Sequence, residues 1–114
     1  MNETLKTIME RNSCRDFAGT PLTDEQVKAI TEAALASPSA MNRMPWHVIV
    51  VTDKKLIDEL NVEGMNILAA ADDQTMYERM KSRGGKMLYN APCMIVVACD
   101  DSKYAMMDCG ILSQ

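Results

Sequence analysis

Arg11, Ser13 and Arg15 stand at alternate positions in the stretch RNSCRDF, residues 11–17, with Asn12 and Cys14 between them. In an extended segment alternate side chains share one side, whereas on a helix these positions are splayed around the cylinder. Extended backbone therefore brings two guanidinium groups and a hydroxyl together. The chain carries a formal net charge of -4, so this cationic cluster runs against the overall balance. Like charges held close ask for an anion between them, and phosphate is the natural candidate. A plainer reading is also open, and from these residues alone it is the favoured one. In it Arg11 complements the carboxyl end of the preceding helix and Arg15 sits in solvent.

Other chemistry is sparsely represented. Cys14, Cys93, Cys99 and Cys109 show no CxxC pairing and no histidine at metal-ligand spacing, so buried or free thiols are expected rather than disulfides or zinc. His47 is the only histidine and adjoins an apolar run, which favours a hydrogen-bonded structural role over catalysis or metal binding. The GGK of residues 84–86 invites comparison with a phosphate loop. The full GxxxxGK[ST] spacing is absent and Met87 follows the lysine, so a solvated turn is the better reading. An acidic chain with one Phe, one Trp and no long basic stripe argues against nucleic acid as the principal partner.

The elements that must position these residues follow from pattern. A chain of 114 residues, 47% hydrophobic and 25% charged, fits a single domain over residues 1–114 with a modest core. MNETLKTIMERN lacks the layout of a secretory signal and no apolar run reaches bilayer-spanning length, so a cytoplasmic setting without a membrane is expected. Leu5, Ile8 and Met9 predict an amphipathic helix over residues 3–11 that leads into RNSCRDF. Thr23 and Gln26 form a capping-box pattern for a second helix ending near Leu35. SPSAMNRMP then reads as a loop, and WHVIVV as a buried strand.

Asp53 starts another helix, whose buried side is expected to hold Leu56, Ile57 and Leu60. Between Asn61 and Asn90, Met76, Tyr77, Met80, Met87 and Leu88 suit an amphipathic helical region interrupted by a loop at residues 83–86. Most of the methionines are expected to fill gaps in the core. CMIVVAC is a second apolar strand, followed by Asp100, Asp101 and Ser102 as helix-capping groups. The last helix carries Ala105, Met106, Met107, Cys109, Ile111 and Leu112. It is apolar nearly all round, as suits an interface or the centre of a larger fold.

In order along the chain, RNSCRDF, SPSAMNRMPWHVIVV, YNAPCMIVVACD and DCGILSQ resemble the amino-terminal half of the FMN-dependent nitroreductase family. The resemblance implies an α+β fold, a mixed sheet flanked by helices, incomplete here at the carboxyl end. It implies that Arg11, Ser13 and Arg15 bind the FMN phosphate and ribityl chain, with Asn12 near the flavin. It further implies that Pro38, Ser39, Ala40 and Asn42 lie against the ring from the other subunit of a homodimer. Many members have Gln where this chain has Met44.

The implied activity is NAD(P)H-dependent reduction of nitroaromatics, quinones or similar conjugated small molecules. Such chemistry resides in the cofactor and asks for no catalytic side chain. Substrate choice is expected to lie in the variable region around residues 61–90. Family members continue beyond DCGILSQ, so a truncated, non-catalytic flavin-binding or dimerisation remnant is the alternative expectation.

Overall fold

A computed structural model describes all residues, 1–114. The elements run α1 (Glu3–Glu10), α2 (Asp24–Leu35), a 3-10 turn (Ala40–Asn42), β1 (Trp46–Val51), α3 (Lys54–Ala70), α4 (Thr75–Ser82), β2 (Met94–Cys99) and α5 (Ala105–Ser113). Local chemistry accounts for the helix starts. The Asn2 side chain accepts the Leu5 N–H at α1. At α2, Thr23 Oγ1 accepts from the Gln26 N–H while Gln26 Oε1 accepts from the Thr23 N–H, so the expected capping box is formed. Asp53 Oδ1 takes the Lys55 and Leu56 N–H groups at the head of α3. α5 departs from expectation. Asp100 Oδ1 accepts from the Ser102 N–H and closes a turn, and the helix begins only after Tyr104, which makes no side-chain cap bond.

β1 and β2 pair antiparallel from Trp46 opposite Cys99 to Val51 opposite Met94. The α+β class expected from the sequence is what forms, and within this chain its sheet consists of these two antiparallel strands. Side chains alternate between faces. Ile95 and Val97 face α2 and α5, where Ile30, Ala34 and Leu112 complete the walls of an apolar gap of about 220 Å³. On the opposite face the directly paired Ile49 and Val96 remain 44% and 38% exposed.

Burial is thin. Six of 114 residues are buried: Trp46, Ile57, Met80, Ala105, Leu112 and Asp108. The Cα radius of gyration is 16.6 Å, against about 13 Å for a compact chain of this length. Apolar surface is correspondingly left open. No residue of α1 is buried, and Leu5, Ile8 and Met9 are all exposed. The expectation that methionines fill the core is corrected. Met80 alone is buried, whereas Met1, Met9, Met41, Met44, Met76, Met106 and Met107 are exposed, because their elements present them away from the few packed contacts.

α3 organises the middle of the chain. Its inner stripe is Ile57, Asn61, Gly64, Met65 and Leu68, the i, i+4, i+7, i+8, i+11 spacing of one helix face. Leu56 and Leu60, expected to be buried beside Ile57, are instead 42% and 41% exposed. The stripe is read correctly only when Asn61 and Gly64 are included in it. Gly64 leaves the space that the Met87 thioether fills, since a side-chain carbon at position 64 would overlap that thioether. Asn61 holds the same segment from both ends: its Nδ2 donates to the Gly85 carbonyl at 2.9 Å and its Oδ1 accepts from the Leu88 N–H at 3.0 Å.

Two stability outcomes follow from this stripe. Ile57→Ala is expected to cost about 2–5 kcal/mol, because Ile57 is the most fully enclosed large side chain. Leu60→Ala should cost clearly less, and equal effects in urea denaturation would contradict the burial pattern. Asn61→Ala removes two long-range hydrogen bonds and is expected to cost about 1–3 kcal/mol. Its signature is faster hydrogen exchange at the Leu88 amide, and unchanged exchange there would rule out the clasp.

Candidate functional site

A cleft of about 360 Å³ opens where the segment after α1 meets the turn that follows α4. Arg15 and Phe17 come from the first segment, and Arg83, Lys86, Tyr89 and Asn90 from the second. Asp16 is the one carboxylate on its wall. The three ion pairs of the chain are Lys28–Glu32, Lys54–Asp58 and Lys55–Glu59, so none of the three cleft cations has an internal counter-ion. Three unpaired cations against one carboxylate make the cleft electropositive within an acidic chain. Two of them are guanidinium or ammonium groups of the turn that sequence reasoning treated as solvated. Lys86 is indeed exposed, but the turn that carries it faces Arg15.

Backbone geometry explains how the turn reaches this position. Gly84 and Gly85 have φ values of 82° and 69°, which end α4 and reverse the chain. Tyr89 and Asn90 also occupy the left-handed region, at φ 53° and 56°. For a tyrosine that conformation is unfavourable, and it persists where surrounding contacts over-determine it. Those contacts are the Asn61 clasp, the Met87 thioether over Gly64 and the Tyr89 N–H donating to the Lys86 carbonyl at 3.0 Å. The sheet continues directly from this turn into β2.

A second strained segment lies in SPSAMNRMP. Met41, Asn42 and Met44 have φ values of 55°, 52° and 48°. Ser39 Oγ accepts the Met44 N–H at 2.9 Å and closes the loop on itself. The Ala40 N–H donates to Asp108 Oδ1 at 3.1 Å, which ties the loop to α5 across 68 residues of sequence. Left-handed non-glycine residues occur only in these two segments. Close by, the Asp100 carboxyl is held below the usual carboxylate range, first by the Ser102 side-chain and backbone hydrogen bonds and more weakly by Arg43.

The structure separates the residues singled out in the sequence into three groups. Arg15 lines the cleft. Arg11, Asn12 and Ser13 precede it in irregular, non-helical, exposed backbone, with Arg11 at φ -57° and ψ 131°, and none of them lines the cleft within this chain. Pro38, Ser39, Ala40 and Asn42 form the other strained loop, attached to α5 and β1 and not to the cleft. Sequence reasoning missed Arg83, which no motif marks, and Lys86. The available signal was two cations flanking a Gly–Gly reversal. It also expected a hydrogen-bonded His47, whereas His47 is exposed on β1 and its imidazole makes no hydrogen bond within the chain. The cysteines are free thiols, and burial, followed by the Cys99 hydrogen bond, pushes the Cys109 thiol up, away from the thiolate a nucleophile needs.

Comparison with known proteins gives this arrangement a context. The nitroreductase family model matches residues 8–114. A protein of Archaeoglobus fulgidus carrying a provisional description as an NADH dehydrogenase or NAD(P)H nitroreductase is 35% identical over 106 residues, covering 91% of this chain and 51% of its own length. The crystal structure of a nitroreductase with bound FMN from Desulfitobacterium hafniense superposes with a TM-score of 0.94 at 53% identity, covering all of this chain and 62% of that one. A Bacteroides fragilis nitroreductase with bound FMN superposes at 0.82 with 29% identity, covering 98% of this chain and 60% of the other. The chain thus spans about half to three-fifths of these three proteins. A family match over nearly the whole chain, together with so close a superposition, means that this chain belongs to the nitroreductase family.

Proposed function

We propose that this chain is the FMN-binding portion of an NAD(P)H-dependent flavin oxidoreductase that reduces nitroaromatics, quinones or similar conjugated small molecules, acting as a cytoplasmic homodimer. The observation that carries the reading is the cleft in which Arg15, Arg83 and Lys86 meet without internal counter-ions. FMN fits its chemistry. An anionic phosphate with a flat, polar-edged ring matches three cations beside Phe17 and Tyr89, and the volume lies within the ~300–1,000 Å³ of small-ligand pockets. Family membership and the FMN-containing structures support the cofactor, and a Vibrio harveyi relative described as an NADPH-flavin oxidoreductase supports a nicotinamide donor. No helix is long and apolar enough to cross a membrane, and free thiols suit a reducing compartment.

Bound FMN supplies the hydride and electron chemistry between a nicotinamide donor and the acceptor. The chain's own residues bind and orient. Arg15 would hold the phosphate from the cleft with charge-assisted hydrogen bonds, and Arg11 and Ser13, which do not line the cleft, would reach the phosphate or ribityl chain from the adjoining extended segment, with Asn12 near the flavin. Arg83 and Lys86 extend the same cationic field to the rest of the cofactor. Pro38, Ser39, Ala40 and Asn42 lie against the ring held by the other protomer, where they shield it from water and orient the acceptor. The homodimer rests on apolar surface. Met106, Met107 and Ile111 leave the outer side of α5 exposed, and Leu5, Ile8 and Met9 do the same for α1, apolar surface of the kind that another copy covers.

The cofactor assignment is tested by flavin titration. Arg15→Ala and Lys86→Ala are each expected to weaken FMN retention by about 1.5–3 kcal/mol, and riboflavin, lacking the phosphate, to bind much less well. Unchanged affinity in both variants would remove the cleft from the FMN site. Turnover is tested by anaerobic reduction with NADH and NADPH followed by reoxidation with a nitroaromatic or a quinone, with flavin absorbance as the readout. The assembly has its own measurement. Sedimentation should give a dimer at micromolar concentration that Met107→Glu weakens, and a stable monomer that does not associate with FMN present would refute it.

A further inference from the structure

Asp108 is the one charged residue that the chain buries, at 4% exposure, and it lies 68 residues from the group it contacts. Burying a carboxylate is unfavourable unless its charge is met. Here it is met twice. Asp108 sits in the first turn of α5, near the positive end of the helix, and its Oδ1 accepts the Ala40 N–H at 3.1 Å. The donor of this bond is unusual in the chain. Ala40 opens the 3-10 turn, and the next two residues, Met41 and Asn42, are both left-handed, with Met44 left-handed after them. Ser39 Oγ closes the loop internally, but that bond joins the loop only to itself. Its far end is tied to the sheet, where the Pro45 carbonyl accepts the Asp100 N–H at 3.4 Å, and Asp108 is what ties its near end to α5.

We infer that Asp108 is a positioning residue, which holds Ser39, Ala40 and Asn42 in the strained arrangement that presents them to flavin and acceptor. The inference rests on the oxidoreductase reading above. Strain of this kind persists only where the surroundings over-determine it. Removing the carboxylate leaves the part-buried Ala40 N–H without an acceptor and frees the loop to relax. The turn that carries Arg83 and Lys86 into the cleft is held by a different clasp, through Asn61, so FMN retention and loop position are separable.

The test has two readouts: hydrogen exchange at the Ala40 and Met44 amides of the flavin-free chain, which Asp108→Ala should speed, and kinetics of the FMN-loaded protein with rates expressed per bound flavin. Asp108→Ala is expected to lower kcat/KM for a quinone acceptor by about tenfold to a hundredfold, the range a lost charge-assisted hydrogen bond gives. The change should fall on the acceptor KM more than on flavin reduction by the nicotinamide donor. Asp108→Asn keeps an oxygen acceptor in place and should restore most of the lost kcat/KM. Ala40→Pro removes the donor from the other side. Ser39 at φ -140° and ψ 158° already has the backbone that a following proline requires. It should reproduce the loss, and combining it with Asp108→Ala should add little. If Asp108→Ala does not fold, Asp108→Ser carries the test in its place, since Ala40 itself is placed against the ring.

A purely stabilising role would lower the melting temperature and leave kinetics per flavin untouched, and that result would overturn the inference while leaving the oxidoreductase reading intact. Wild-type protein that neither retains flavin nor turns over would overturn that reading and, with it, the inference.

Discussion

The two hydrogen bonds of the Asn61 carboxamide govern where the cationic turn can lie. Gly85 and Leu88 flank Lys86, and Asn61 takes a carbonyl from one and an N–H from the other. A bidentate clasp of this kind fixes both position and orientation, which a hydrophobic contact does not. It matters more here than in a thick core, because so few residues are buried that packing alone constrains little. Gly64 completes the arrangement by admitting Met87 beneath the turn. One face of α3 thus sets the path of residues 84–90, and that path brings Arg83 and Lys86 to Arg15.

Bringing three cations to one cleft costs free energy, but the cost is bounded. In water two unit charges 4 Å apart repel by about 1 kcal/mol, and salt reduces this further for exposed groups. The side chains of the cleft are largely exposed, so their repulsion is within reach of a polar clasp and a well-packed methionine. An anion in the cleft reverses the sign of the interaction and gains charge-assisted hydrogen bonds as well. A site held open by the scaffold and neutralised by its ligand is preorganised, and less binding free energy goes into rearranging it.

How much of this was legible in the sequence depended on whether the determining interaction was local. The Thr23–Gln26 capping box, the Asp53 cap, the end of α2 at Leu35 and the positions of both strands follow from side-chain spacing over a few residues, whereas the burial expected of WHVIVV does not form, since Trp46 alone of it is buried. Leu60 falls outside the inner face of α3 because hydrophobicity alone does not define that face. That face includes Asn61 and Gly64, one selected for hydrogen bonding and the other for absence of volume. Asp108 and Ala40 could not be paired from sequence at all, since their bond spans 68 residues and no periodicity links a buried carboxylate to a loop amide. Arg83 and Lys86 were overlooked for a related reason: a turn rich in glycine and cations looks solvated until another segment is placed opposite. RNSCRDF points to the family through resemblance, but its part in holding a phosphate stays a proposal: the residues themselves favour the plainer reading, and only Arg15 of them lines the cleft.

The same thinness of core that makes polar clasps decisive also sets what the apolar surface must do. α5 buries Ala105, Asp108 and Leu112 on one side and turns Met106, Met107 and Ile111 outward on the other. Asp108 therefore lies on the inner side of a helix whose outer side is the proposed subunit contact. A helix held on both sides is stiffer than one packed on a single face, so covering Met106 and Met107 steadies the carboxylate that the Ala40 loop depends on. On the homodimer reading, that loop serves the flavin of the opposite protomer. Association then acts on the site in two ways: it brings the loop to the ring, and it makes firm the helix to which the loop is tied.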